Sequence, residues 1–241
     1  MLKNLLSEAL PKFSIKKPIT NKLIYFRPIT VKEEKKLLMS QELGNRNDIV
    51  KSISEVLETC YEGLSIKNLP IYEFDYYFVQ LRIKSIGEII DAKFVCPETG
   101  EKLSLNVNLN DIKITNLENY NPKVKISDDL IFTFRPPSYK DIEDLNSVNF
   151  DYDDMIKLTV KCLTEIMTKD ENIETSNYNE NDKIELINSL TPKQFNKIIE
   201  YFDNLPKYEH SITYKTSDNV ERKLYISGID DFFTLASVTW V

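Results

Sequence analysis

One short pattern occurs twice in this chain, and it limits what the chain can fold into more than any other feature. Leu23-Ile24-Tyr25-Phe26-Arg27-Pro28-Ile29-Thr30 and Ile131-Phe132-Thr133-Phe134-Arg135-Pro136-Pro137-Ser138 place their arginines 108 residues apart. Each begins with the residue alternation of a half-buried strand. Each stops at proline, which cannot continue a sheet ladder. Each then supplies a hydroxyl side chain, Thr30 or Ser138, able to cap the next helix. The parts of the signature common to both copies are Phe26, Arg27 and Pro28 in one and Phe134, Arg135 and Pro136 in the other.

The elements beyond the signature repeat in the same order. Charged helical stretches run from Val31 to Leu38 and from Tyr139 to Leu145. Apolar-periodic helices open at Asp48 and Asp154 and run on through Cys60-Tyr61 and through Leu163, Ile166 and Met167. In both, the aspartate stands where it can cap free amides and favour the helix dipole. A third helix comes after Leu69-Pro70 in one half and Leu190-Thr191-Pro192 in the other, with proline at its usual place near a helix start. Each half closes with a strand pair around a turn, 91–95 with 102–107 and 211–214 with 222–226.

The spacing supports a duplication with one insertion. Lys51 and Lys157 lie 106 apart, close to the arginine spacing, whereas Gly100 and Asn219 lie 119 apart. The excess falls near Asp170–Asp182, a polar, acidic stretch that reads as a mobile inserted loop. The expected fold is therefore α+β, a tandem duplication of a unit made of a strand, about three helices and a β-hairpin. It predicts an N-terminal segment over 1–22, a first repeat over 23–122, and a second over 123–241 carrying the loop at about 170–182.

Residue chemistry argues against most enzyme classes. With 5 glycines in 241 residues, few positions suit phosphate-cradling loops or nucleophile elbows. The single histidine, His210, cannot build a multi-histidine metal site, and before a strand it reads as an element boundary or a hydrogen-bonding surface residue. Asp151, Asp153 and Asp154 lack the glycine and closing glutamate of a calcium loop and read as helix caps. An acid-dependent hydrolase built on them has no spacing argument. Cys96-Pro97-Glu98-Thr99-Gly100 is like half a zinc-ribbon knuckle, but Thr99 stands where the second cysteine belongs. No metal and no cofactor is expected. The net charge of −7 opposes general nucleic-acid binding, which draws its affinity from neutralised phosphates. No stretch approaches the ~18 apolar residues of a membrane span, and three scattered cysteines suit a reducing cytoplasm.

Contact with partners is expected from aromatic residues instead. Ile71–Phe78 sets rings around more than one helical face, and Tyr72, Tyr76 and Tyr77 are the partner-binding candidates there, since tyrosine favours interfaces. Phe232–Val241 is apolar to the last residue, which makes Trp240 and Val241 candidates for docking into another chain.

Phe26–Lys35, the helix through Leu57, the aromatic helix 69–82 and the Cys96–Gly100 hairpin together resemble the baseplate hub assembly proteins of T-even-type contractile-tailed phages. That resemblance implies a non-enzymatic interaction or assembly factor for the central tail hub, with hub and tape-measure proteins as partners. It places the protein in the cytoplasm of an infected bacterium. The alternative it leaves open is a resident structural component of the tail baseplate, carried in the virion. It supplies no catalytic residue.

Overall fold

A computed structural model describes residues 10–145, 150–229 and 231. The fold is mixed α+β, with strands in small separate antiparallel sheets. The chain divides into two compact units. The first comprises the described parts of Met1–Lys67, Tyr72–Thr115 and Lys207–Val241; the second comprises Asn68–Ile71 and Asn116–Pro206.

In the first unit, β1 (Phe13–Lys16) pairs with β2 (Leu23–Phe26), so that part of the expected N-terminal segment belongs to the body of the unit. β2 buries Ile24 and Phe26 and turns Leu23 and Tyr25 outward, the alternation its sequence predicts. Helix α1 (Val31–Leu43) comes next and stops at Gly44, whose φ of 68° is the left-handed cap conformation that glycine adopts without strain. Helix α2 (Arg46–Cys60) buries Ile53, Val56, Leu57 and Cys60 on one face. Helix α3 (Ile71–Ser85) is the aromatic helix. The hairpin β3 (Ile89–Val95) and β4 (Lys102–Asn108) comes after it, then a short β5 (Lys113–Thr115).

In the second unit, β6 (Lys123–Ser127) and β7 (Leu130–Phe134) lead to a single-turn helix α4 (Tyr139–Ile142) and to α5 (Tyr152–Cys162). The sequence predicts that this helix continues through Met167. It ends at Cys162 instead, and Leu163–Met167 is strand β8, laid antiparallel on β7 with Phe132 opposite Ile166. Leu163, Ile166 and Met167 satisfy either period, and the partner strand decides between them. The loop expected at 170–182 is also ordered. It holds β9 (Asn172–Glu174), which extends the sheet to the order β6-β7-β8-β9, a 3₁₀ turn (Thr175–Asn177) and the start of α6 (Glu180–Asn188). Apart from Thr175, its polar side chains largely face solvent while backbone groups of β9 are paired, which composition alone cannot distinguish from a mobile loop. Helix α7 (Pro192–Asp203) lays Phe195, Ile198 and Phe202 into a core with Phe132, Phe134, Val160 and Cys162.

The last hairpin, β10 (Lys207–Lys215) and β11 (Glu221–Ser227), returns to the first unit, where β10 pairs with β5. The compact units therefore do not follow the boundary expected near residue 122. Each repeat-like run of elements is present, but the closing hairpin of the second completes the first unit. The helix caps differ by one turn from expectation. Asn45 and Asp151 are the N-caps, and Asp48 and Asp154 lie in the first turns behind them.

Candidate functional site

The two Phe-Arg-Pro corners carry closely matched sets of bonds. In the first, the Arg27 guanidinium donates to both carboxylate oxygens of Glu33 at 2.6 and 3.0 Å and to the Pro28 carbonyl at 2.9 Å. The Thr30 amide and hydroxyl donate to the same carboxylate at 2.6 and 2.8 Å, closing the start of α1. The Arg27 amide donates to the Cys60 carbonyl at the end of α2. In the second, Arg135 donates to both oxygens of Asp141 at 2.7 Å and to the Pro136 carbonyl at 3.2 Å. The Ser138 amide and hydroxyl donate to Asp141, and the Arg135 amide donates to the Cys162 carbonyl. Strand end, helix start and the end of the next helix are thus tied at one arginine in each unit.

The electrostatics reflect this geometry. Burial pushes the Glu33 and Asp141 carboxyls up, but the arginine and hydroxyl-residue donors outweigh it and hold both below their ordinary values. Burial drives the Cys60 and Cys162 thiols up to about 12. They are small core residues, and such thiols are unreactive. Glu33 and Asp141 were missed as functional positions by sequence reasoning. Their signal was present, a carboxylate three residues after the capping hydroxyl.

The tips of the two hairpins of the first unit meet through polar contacts. Arg222 donates to Glu98 at 2.8 Å, to Asp218 at 2.7 and 2.9 Å and to the Thr216 hydroxyl at 2.5 Å. The Ser217 amide donates to Glu101. The Tyr214 hydroxyl lies 3.4 Å from the Cys96 sulfur, and its ring stands edge-on to Phe94 at 5.0 Å. Hydrogen bonds from Thr99 and then Tyr214 pull the Cys96 thiol down to about 7. At the place where the sequence suggests half a metal knuckle, an arginine cation joins the turns. Among the described residues, no group of three or more His, Cys, Asp and Glu could hold a metal ion.

Asp151 accepts from the Asp154 amide at 2.9 Å, and Lys157 reaches Asp154 at 3.4 Å, so two of the three clustered acids are engaged in closing α5. His210 lies in β10 opposite Ile226. The aromatic helix does not present its rings as expected. Tyr72 and Tyr77 are 3% and 1% exposed, and Tyr76 is half-buried with its hydroxyl donating to the Lys16 carbonyl. The Phe26 ring stacks on Tyr61 at 4.6 Å, Tyr77 stands edge-on to Tyr61 at 5.3 Å, and the Tyr61 hydroxyl donates to the Tyr77 carbonyl. Tyr72 and Tyr77 therefore offer no surface to a partner, whereas Tyr76 keeps part of its ring accessible. Trp240 and Val241 lie outside the described residues.

Among the described residues, the surface depressions are open and lined by both polar and apolar atoms. One of about 460 Å³ in the second unit is lined by Tyr120, Lys123, Lys197 and Tyr201, with Lys197 already donating to the carbonyls of Lys125 and Ile126. In the two corners and at the hairpin tips, charged groups fasten one element to another.

A family model described as T4 bacteriophage base plate protein matches residues 10–234. The chain belongs to that family. This baseplate-family protein matches no curated protein and no solved structure at a significant level. Its matched region contains both arginine corners and both hairpins, and membership makes it a phage baseplate structural or assembly component. Among the described residues, no helix of this baseplate protein is long and apolar enough to cross a membrane.

Proposed function

We propose that this protein is an assembly factor for the central hub of the phage baseplate, a non-enzymatic interaction protein that meets hub and tape-measure proteins in the cytoplasm of the infected bacterium. The observation that carries the reading is the match of nearly the whole chain to a baseplate family. The hub role draws on the resemblance of Phe26–Lys35, the aromatic helix and the Cys96–Gly100 turn to hub assembly proteins. The non-enzymatic role draws support from the engagement of Arg27, Glu33, Arg135, Asp141 and Arg222 in structural joints. The matched bonds of the two corners support a duplicated origin for the two runs of elements. Trp240 and Val241 end an apolar stretch suited to insertion into a hub protein.

A resident baseplate part is the second reading, favoured by the family's description as a base plate protein. Mass spectrometry of purified virions, run beside a pull-down from infected cells, separates the two. An assembly factor is recovered with hub proteins and is missing from virions; a resident part is found in both. Normal particles assembled without the protein would overturn both readings. Truncation after Thr234 is expected to abolish the pull-down, and unchanged recovery of hub proteins would remove Trp240 and Val241 from the binding surface.

A further inference from the structure

Residues 9–32 hold Lys12, Lys16, Lys17, Lys22, Arg27 and Lys32 and no Asp or Glu, in a chain whose net charge is −7. The fold turns part of this run into one solvent-facing surface. In β1 and β2 the exposed residues are Ser14, Lys16, Leu23 and Tyr25, and the register sets Ser14 opposite Tyr25 and Lys16 opposite Leu23. Side chains at paired positions point to the same side of a sheet, so these four share the outer face, while Phe13, Ile15, Ile24 and Phe26 lie on the inner one. Leu23 and Tyr25 are 55% and 47% exposed, and Ile19, in the connecting loop, is 53% exposed. The loop is fixed by its own backbone: the Lys17 amide donates to the Lys22 carbonyl at 2.8 Å and the Asn21 amide to the Lys17 carbonyl at 3.0 Å. Glu33 pairs with Arg27, Glu62 pairs with Lys12, and Glu73 lies near Lys17, whereas Lys16 and Lys22 make no ion pair among the described residues.

We propose that the outer face of β1 and β2, with the loop between them, docks an acidic protein partner: apolar side chains of the partner cover Leu23 and Tyr25, and its carboxylates pair with Lys16 and Lys22. The inference rests on the reading of the chain as an interaction protein and adds the surface and the charge of what it meets. An apolar centre with an aromatic ring and a charged rim is the arrangement of a protein–protein contact. The two free lysines fix the sign of the complementary rim, because they repel a basic partner and no acid of the hairpin offsets them. The face is also held in shape in advance. Its loop is closed by backbone bonds, and the Tyr76 hydroxyl donates to the Lys16 carbonyl at 3.1 Å, so little ordering remains to be done on binding. A lipid surface is the poorer match, since two free lysines and three separate apolar residues fall short of the two signals that stable anchoring takes.

The test is recovery of proteins from infected cells on the tagged full chain, identified and quantified by mass spectrometry at about 50 mM and about 500 mM NaCl. Three variants are compared with the parent chain after circular dichroism has shown that each folds. Lys16→Glu/Lys22→Glu reverses the rim, Leu23→Thr/Tyr25→Thr removes the apolar centre with strand-forming residues, and Lys102→Glu/Lys223→Glu makes the same change of net charge on β4 and β11. The expected result is a phage protein of net negative charge whose recovery falls about tenfold with either β1–β2 variant and is unchanged by the third. High salt should lower its recovery on the parent chain and have little further effect on Lys16→Glu/Lys22→Glu. If the protein lost is not a hub protein, the hub reading fails and the docking face stands. If hub proteins are recovered equally on the parent and both β1–β2 variants, the hub reading stands and the docking face is overturned. Recovery of no partner, loss on all three variants alike, or loss of a basic partner only would overturn it too. So would binding to phosphatidylcholine vesicles holding about 30% phosphatidylglycerol that disappears with Lys16→Glu/Lys22→Glu, because the face would then belong to a lipid surface.

Discussion

At the scale of single residues, the two arginine corners are where charge does the most structural work. The Arg135 and Asp141 side chains are 27% and 9% exposed, and Asp141 also receives the Ser138 amide and hydroxyl. Removing the arginine leaves a carboxylate with little water and no cation, which costs about 3 kcal/mol at a partly buried pair. Arg135→Met is expected to lower the urea midpoint accordingly. Arg135→Lys should recover only part of the loss, because an ammonium cannot match the two-pronged geometry. The pH dependence has a definite sign. Glu33 and Asp141 are held below their unfolded values of about 4.3 and 3.9, so their contribution is fully present above about pH 5 and is lost as pH falls through the folded values. Urea midpoints measured from pH 7 downward should drop in that acid range, and Asp141→Asn should flatten the drop. The arginines and the capping hydroxyls were legible in the sequence, and so was the spacing from Thr30 to Glu33. That the capping carboxylate would also take the arginine six residues earlier was not, since only the folded corner at proline brings the two within reach.

At the scale of elements, most of the order was readable because period and punctuation agreed. The two closing hairpins and the proline-led helix α7 fall where the sequence predicts. The failure came between Cys162 and Asp182, where local signals are neutral and a neighbour decides. Leu163-Thr164-Glu165-Ile166-Met167 has no proline or glycine to end a helix, yet β7 claims its backbone. Thr175 fastens the far end of this stretch. It is 2% exposed, and its hydroxyl donates to the Leu163 carbonyl at 2.6 Å, pinning the turn after β9 to the start of β8. Thr175→Val keeps the shape and removes the donor, so it is expected to cost about 1–2 kcal/mol in thermal or urea unfolding. Limited proteolysis within 168–178 should quicken in parallel. A substitution without effect on either measurement would mean that this stretch is the mobile loop its composition suggests.

At the scale of the whole molecule, the consequence lies in how the first unit is assembled from distant sequence. Among the described residues, its strand β5 pairs with β10 alone, with Lys113 opposite Glu209 and Thr115 opposite Lys207. Glu98 and Phe94 likewise wait for Arg222 and Tyr214. Contacts of such separation must overcome the entropy of closing the intervening chain before they contribute. Apart from Asn68–Ile71, the second unit is continuous from Asn116 to Pro206 and holds its own core around Phe132, Phe134, Ile198 and Phe202. A fragment of residues 116–206 is therefore expected to give a cooperative melt and a dispersed amide spectrum by itself. A fragment of residues 1–115 should remain largely unfolded, because the hairpin tip at Cys96–Glu101 lacks its cation and β5 lacks its neighbour. Adding a peptide of residues 207–231 should raise its helicity and disperse its spectrum. A fragment 1–115 that folds without the peptide would show that β10 and β11 merely cover the unit, and that the Arg222 contacts add little to its stability.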